Sequence, residues 1–412
     1  MRLWSVTLDC WIIELLKPYT SKEEQTMNKV YTIFSEILKL CPRYQFDSAV
    51  QRHQGDRYVK TFTTWQQFMT ILYSQITQKD SLRDIVTGLS AHAARWYHLG
   101  LTGIHKSTLS DANAKRDYRI FEGLFYHLLA RCKNLTPKHK FRFKNPLYTI
   151  DASTTHLCLS VFPWAKFRTT KGAIKMHCLY DHSGALPSFL TVTDGKKHDV
   201  CVVKETSFPL SPDSIVSVDK AYIDYKWLNS LDEKGVWFVT RAKKNIDYAV
   251  VGQHPVTGKG VLSDERISLQ GPRTKTNYPK DLRLIMYHDE ERKKTLTFLT
   301  NNFKLAAQTI AQIYKSRWQI ELFFKWIKQN LKIKSFLGTS KNAVLTQIWV
   351  AMCYYLLLTY IKYQTKYGYS LLQLSRVIKE MLFQRKSLID VLTLGPERLR
   401  LVQSEALQGA LF

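Results

Sequence analysis

Acid is what this sequence is short of. Across 412 residues, 60 Lys and Arg stand against 34 Asp and Glu, for a formal charge of +26. From residue 292 to residue 379 the one carboxylate is Glu321. The basic excess runs along most of the length instead of sitting in one tail, which points to a polyanionic partner, most simply nucleic acid, held with strong salt dependence. Paired cysteines are missing as well. The seven, Cys10, Cys41, Cys132, Cys158, Cys178, Cys201 and Cys353, are odd in number, scattered, and include no Cys-x-x-Cys, which argues against a disulfide framework and for a reduced, intracellular chain. His156 with Cys158, and His177 with Cys178, lack second ligand pairs at a usual zinc spacing and read as packing residues. Nor is there a clean apolar leader or span. Near the start, WIIELL is interrupted by Glu14 and followed by no small-residue cleavage site, and the apolar run at 348–361 is too short to cross a bilayer and reads as a buried helix. A membrane partner is not expected, and the location expected is cytoplasmic.

What is present suffices for two or three domains, since 45% hydrophobic and 13% aromatic content can fill real cores. Residues 30–135 carry apolar residues at helical spacing in YTIFSEILKL, TWQQFMTILYSQI and FEGLFYHLLARC. Between the last two, SLRDIVTGLS to SDANAKR can be cut as a helix-turn-helix whose second helix is capped by Ser107 or Thr108. The character changes at Pro146. LYTID is a strand ending on Asp151, KMHCLYD and LPSFLTVTD flank a turn at 181–184, and SIVSVD is a strand ending on Asp219. A short helix is expected near 200–206, and YKWLNSLDEKG followed by VWFVTRAK reads as helix, Gly235 terminator and strand. Residues 243–294 form a β-rich insertion, LTFLTN returns to the core, and the pattern is helical again from 305 to 363. No internal repeat or long low-complexity segment is present.

The stretch YKSRWQIELFFKWIK at 314–328 isolates the question posed by Glu321. At about 100° per residue on a helix, Tyr314, Arg317, Glu321 and Lys328 share an arc of roughly 60°, beside an apolar stripe that includes Ile320, Phe324 and Ile327. Taken alone, Arg317 and Glu321 are an ordinary i,i+4 pair worth a few tenths of a kcal/mol. Two further carboxylates at strand ends change the balance. A divalent-metal site for phosphoryl transfer needs hard oxygen ligands from separate elements, with cations nearby to offset their repulsion of a polyanion.

Here the residues resemble a known family. Tyr314, Arg317, Glu321 and Lys328 match in spacing the Tyr-Arg-Glu-Lys signature of DDE transposases of bacterial insertion sequences, in the branch called insertion-sequence family four. TIDAST around Asp151 and SVDKAY around Asp219 resemble its first and second acidic motifs. The longer gap between Asp219 and Glu321 matches a β-rich insertion before the glutamate helix, and FSEILKLCPRYQFD with SLRDI resembles the helical domain that precedes the core in one subgroup.

The resemblance implies an α/β fold, a ribonuclease-H-like catalytic core with a β-rich insertion, preceded by an α-helical N-terminal domain. The domains expected are an upstream extension at 1–26 with Met27 as the natural start, a helical and possibly DNA-binding unit at 27–140, a catalytic unit at 141–365, and a helical tail at 366–412. It further implies that Asp151, Asp219 and Glu321 bind two Mg2+ ions, for which Mn2+ can substitute, and that Tyr314, Arg317 and Lys328 contact DNA. The expected activity is metal-dependent hydrolysis at element ends and transfer of the 3′ hydroxyl into target DNA. The partners would be double-stranded DNA, as terminal inverted repeats and target, and a second copy in a homodimer on DNA, in the nucleoid. Lys220 and Tyr222 have either an assisting or a structural role, and His198-Asp199 in DGKKHDV reads as a turn and helix start, with an acid-base pair as the alternative. The competing functions are a metal-dependent nuclease that cuts without joining and an inactive DNA-binding protein.

Overall fold

The computed structural model of the chain describes residues 31–95, 99–101, 103–168 and 171–393. The expectations for residues 1–26 and for Met27 as the start lie outside the described residues. The described residues begin with six α-helices: α1 (Ile33–Lys39), α2 (Arg43–Arg52), α3 (Thr64–Thr77), α4 (Leu82–Ser90), α5 (Lys106–Lys115) and α6 (Arg119–Leu135). Helix α3 begins where Thr63 and Gln66 form a reciprocal capping box and ends where Gln78 adopts φ 59°. Helix α5 starts earlier than its sequence suggests. Its first residue is Lys106, preceded by His105, so Ser107 and Thr108 sit inside the first turn and do not cap it.

Next comes one large sheet. Its strands are β1 (Leu147–Leu157), β2 (Lys166–Arg168), β3 (Lys171–Asp181) and β4 (Leu186–Asp194), then, after helix α7 (Asp199–Glu205), β5 (Ile215–Val218). Helix α8 (Tyr225–Glu233) leads to β6 (Trp237–Arg241), β7 (Tyr248–Gln253) and β8 (Val261–Leu269), and helix α9 (Pro272–Asn277) leads to β9 (Leu282–Asp289) and β10 (Lys294–Thr300). The strand order is β2-β3-β1-β5-β6-β10-β9-β8-β7, with β4 on β3. Strands β1, β5 and β6 are parallel. The 243–294 segment therefore extends the same sheet, because β10 pairs with β6 on one side and β9 on the other.

Five helices close the described chain: α10 (Ala307–Ser316), α11 (Trp318–Asn330), α12 (Lys341–Gln364), α13 (Leu371–Met381) and α14 (Leu388–Thr393). The parallel strands are buried on both faces, as their unbroken apolar runs require. Leu147, Ile215 and Val239 pack with Ile310 and Ile313 of α10, while Ile150, Val216, Val218 and Phe238 pack with Trp227 and Leu228 of α8. Helix α12 is apolar around nearly its whole circumference, so it belongs inside a core. Its 24 residues exceed the run at 348–361 and would be long and apolar enough to cross a membrane by length and composition, yet 94% of its apolar window is buried within the fold. One core cluster joins Phe121 and Phe125 of α6, Trp349 and Tyr355 of α12, Phe323 of α11 and Tyr180 of β3.

Candidate active site

Strand alternation decides which way the two strand-end acids point. Leu147, Thr149 and Asp151 alternate onto the face that carries α10 and α11, and Ile215, Ser217 and Asp219 do the same on the neighbouring parallel strand. Between α10 and α11 the expected single helix is interrupted at Arg317. The interruption is shallow, because Arg317 keeps helical dihedrals, φ −50° and ψ −30°, and the polar stripe from Tyr314 to Lys328 survives it.

Every side chain of that stripe reaches the strand acids or the strand beside them. The Tyr314 hydroxyl donates to Asp219 Oδ1 at 3.2 Å. Arg317 donates through Nη1 to Asp151 Oδ2 at 2.9 Å and through Nη2 to Glu321 Oε1. Lys328 Nζ donates to the carbonyl of Thr154 on β1 at 2.6 Å. Three acids distant along the chain thus meet around one guanidinium and one phenol. Burial pushes the Asp151 carboxyl up to about 6, against the pull of the Ala152 N–H and Arg317, with the charges of Glu321 and Asp219 adding to the rise.

Among the described residues no group of three or more His, Cys, Asp and Glu side chains is drawn up into a ready cage for a metal ion. The donor set nonetheless fits a hard divalent cation: all of it is carboxylate oxygen, it carries excess negative charge in a half-buried setting, and Arg317 already compensates part of that charge.

A second strut holds α11 to β1. Buried His182, in the turn after β3, lies with Nε2 2.8 Å from Thr149 Oγ1 and Nδ1 3.3 Å from Gln319 Oε1. Burial pushes its imidazole down to about 4 from an unfolded value near 6.5. The unfolded chain therefore binds more protons across that window, so this contribution is complete above about pH 6.5 and is lost as pH falls toward 4, on the order of 3 kcal/mol in total. Urea unfolding between pH 7 and about pH 4.5 should show the loss, and His182→Gln should flatten it; an equal pH dependence in the variant would remove His182 as its source.

Sequence reasoning placed the acids and the stripe but missed the Thr149–His182–Gln319 strut and the Thr154 carbonyl. It also grouped His177 with Cys178, which a strand turns to opposite faces. Cys178 pairs in register with Asp151, whereas His177 shares its face with Lys175, two residues away. That alternation was the signal available.

The comparisons with known proteins fall on the same residues. The model described as "Transposase DDE domain" matches residues 142–357, a span containing Asp151, Asp219 and Glu321. The chain belongs to the DDE transposases. A domain of unknown function (DUF4372) matches residues 29–102 of this transposase. A candidate transposase, y4zB, of Sinorhizobium fredii is 31% identical over 69% of this chain and 79% of its own length. A probable transposase for insertion sequence element IS5377 of Geobacillus stearothermophilus is 29% identical over 65% of this chain and 70% of its own. A solved piggyBac transposase synaptic complex with hairpin DNA is similar over 89% of this chain and 82% of that one, at 12% identity and a TM-score of 0.44, too loose a likeness to carry an argument. The transposase is thus an enzyme of DNA transposition, in a family that depends on divalent metal and binds DNA.

Proposed function

We propose that this transposase works by cut-and-paste. It hydrolyses a phosphodiester at each end of its element and then directs the freed 3′ hydroxyl onto a target phosphodiester, using one site on a ribonuclease-H-like core for both steps. The observation that carries the reading is the convergence of Asp151, Asp219 and Glu321 from two parallel strands and one helix about Arg317 and Tyr314. The three carboxylates would hold two Mg2+ ions, which when bound supply activation of the attacking oxygen and stabilisation of the leaving one.

The protein's own residues do the rest. Arg317 offsets the charge of Asp151 and Glu321 and would contact a DNA phosphate beside them. Tyr314 orients Asp219, and Lys328, beside β1, contacts the DNA backbone. The N-terminal helices, α1 to α6, contribute end binding. Because two ends are handled together, the working form on DNA is a homodimer, acting at the nucleoid on terminal inverted repeats and target duplex.

Incubating the full chain with labelled element ends, target plasmid and Mg2+ tests the reading. Joined products are expected; cleaved ends with no joining would reduce the protein to a nuclease, and binding without turnover to a DNA-binding protein. Lys328→Ala should weaken end binding uniformly across sequences and lower the log–log salt slope by about one. An unchanged slope would confine Lys328 to its Thr154 contact.

A further inference from the structure

Between Glu122 and Asp151 the sequence holds no acid. In the stretch PKHKFRFKNP at 137–146, which joins α6 to β1, Lys138, Lys140, Arg142 and Lys144 alternate with His139, Phe141 and Phe143. The fold sorts the two sets. The four cations are exposed and the three rings are half-buried. Phe141 and Phe143 stack with centroids 5.0 Å apart and pack on the cluster of Leu147, Ile215, Val239 and Ile310, while the His139 ring lies 4.9 Å from that of Phe143. His139 Nε2–H donates to the carbonyl of Asn145 at 2.7 Å and closes the loop on itself. The Asn145 amide donates to the carbonyl of Asp213 at 2.7 Å, fixing the loop to the core.

Among the described residues none of these four cations has an ion pair. A surface that serves only solubility intersperses both signs. Here like charges crowd one anchored loop and repel one another, so the free protein gains nothing from them. A polyanion laid across the loop reverses that balance. Three of the four are lysines, point charges that suit phosphate and carry little sequence information.

The loop also lies where DNA must pass. Phe141 and Phe143 pack on the sheet face that carries α10 and the acids. The Pro146 carbonyl accepts from the Ile215 N–H at 2.8 Å, so the loop sits at the starts of β1 and β5, and Asp151 and Asp219 come four residues after Leu147 and Ile215. At about 3.3 Å per residue the separation along the strands is roughly 13 Å, less than half of a duplex turn of about 34 Å. Resting on the proposed function, we infer that Lys138, Lys140, Arg142 and Lys144 form a sequence-independent clamp on the phosphate backbone of the duplex whose cleaved phosphodiester lies at the acids.

The experiment titrates labelled element ends, and an unrelated duplex of equal length, with full-length protein over a range of salt. Wild type is compared with a variant carrying Lys138→Gln, Lys140→Gln, Arg142→Gln and Lys144→Gln. At about 0.9 counterions released per phosphate contact, the log–log salt slope is expected to fall by about 3 to 4, equally for both duplexes. Melting without DNA should be no lower than wild type. At saturating DNA in low salt the variant should cleave at the wild-type rate, with only the half-saturating concentration raised. A second variant, with Arg273→Gln, Lys275→Gln, Arg292→Gln and Lys294→Gln, removes four exposed cations from the insertion. An equal fall there would make the effect one of overall charge and overturn the inference. A fall of less than one in the loop variant also overturns it, while wild-type cutting and joining leaves the proposed chemistry standing. A wild type that binds but never cleaves, with the fall in slope intact, leaves the clamp standing and overturns the chemistry.

Discussion

Alanine at Asp151, Asp219 or Glu321 should abolish strand cleavage and joining, with single-turnover rates falling on the order of 10⁴-fold while binding to element ends persists. The size follows from how such groups act. Residues that work as a unit fail together, so each single removal costs nearly as much as removing all three. The three substitutions should differ in the free enzyme. Glu321→Ala leaves Arg317 bonded to Asp151 alone, Asp151→Ala leaves it with Glu321 alone, and Asp219→Ala deprives the Tyr314 hydroxyl and the Ala221 N–H. Folding should therefore survive in all of them. Melting curves and end binding distinguish this outcome from simple unfolding, and joining activity retained by any one variant removes that residue from the site.

The largest effect on stability is expected far from the chemistry, at Arg283. Its guanidinium, 5% exposed, pairs with Asp264, 3% exposed, through Nε–Oδ1 at 2.8 Å and Nη2–Oδ2 at 2.6 Å. Its remaining nitrogen, Nη1, donates to the carbonyls of Asn302 at 3.1 Å and Leu305 at 2.6 Å. One side chain thus ties β8 and β9 of the insertion to the loop that launches α10, the helix bearing Tyr314. Arg283→Met strands a buried carboxylate and two carbonyls, and should cost about 3–5 kcal/mol in denaturant unfolding. The double change Asp264→Leu with Arg283→Met should recover most of that loss, because a buried ion pair contributes little over an apolar pair of similar volume. A single variant destabilised by less than about 1 kcal/mol would show that water or a neighbouring donor takes the guanidinium's place.

Much of the site was legible in the sequence because its signals are local. An acid at the end of an apolar strand, and a polar stripe at helical spacing, are properties of a few consecutive residues, and period 2 or period 3.6 turns them into directions in space. Two features escaped because each needs two distant segments in contact: the His182 strut from Thr149 to Gln319 and the Lys175–His177–Asp199 group. The burial of α12 belongs with them. Its composition suits either a membrane or a core, and the partners that wrap it include Phe125 of α6, more than two hundred residues earlier in the chain.

By itself, then, the sequence determined the charge of the molecule and most of the run of helices and strands, and offered the acids and cations proposed for the site, since side-chain chemistry and short-range periodicity need no partner. The tertiary structure alone decided that Arg317 stands between Asp151 and Glu321, that the insertion continues the central sheet, and that Asp199 answers to Lys175 and not to its neighbour. Those are matters of which surfaces bury one another, and burial is a property of the whole fold.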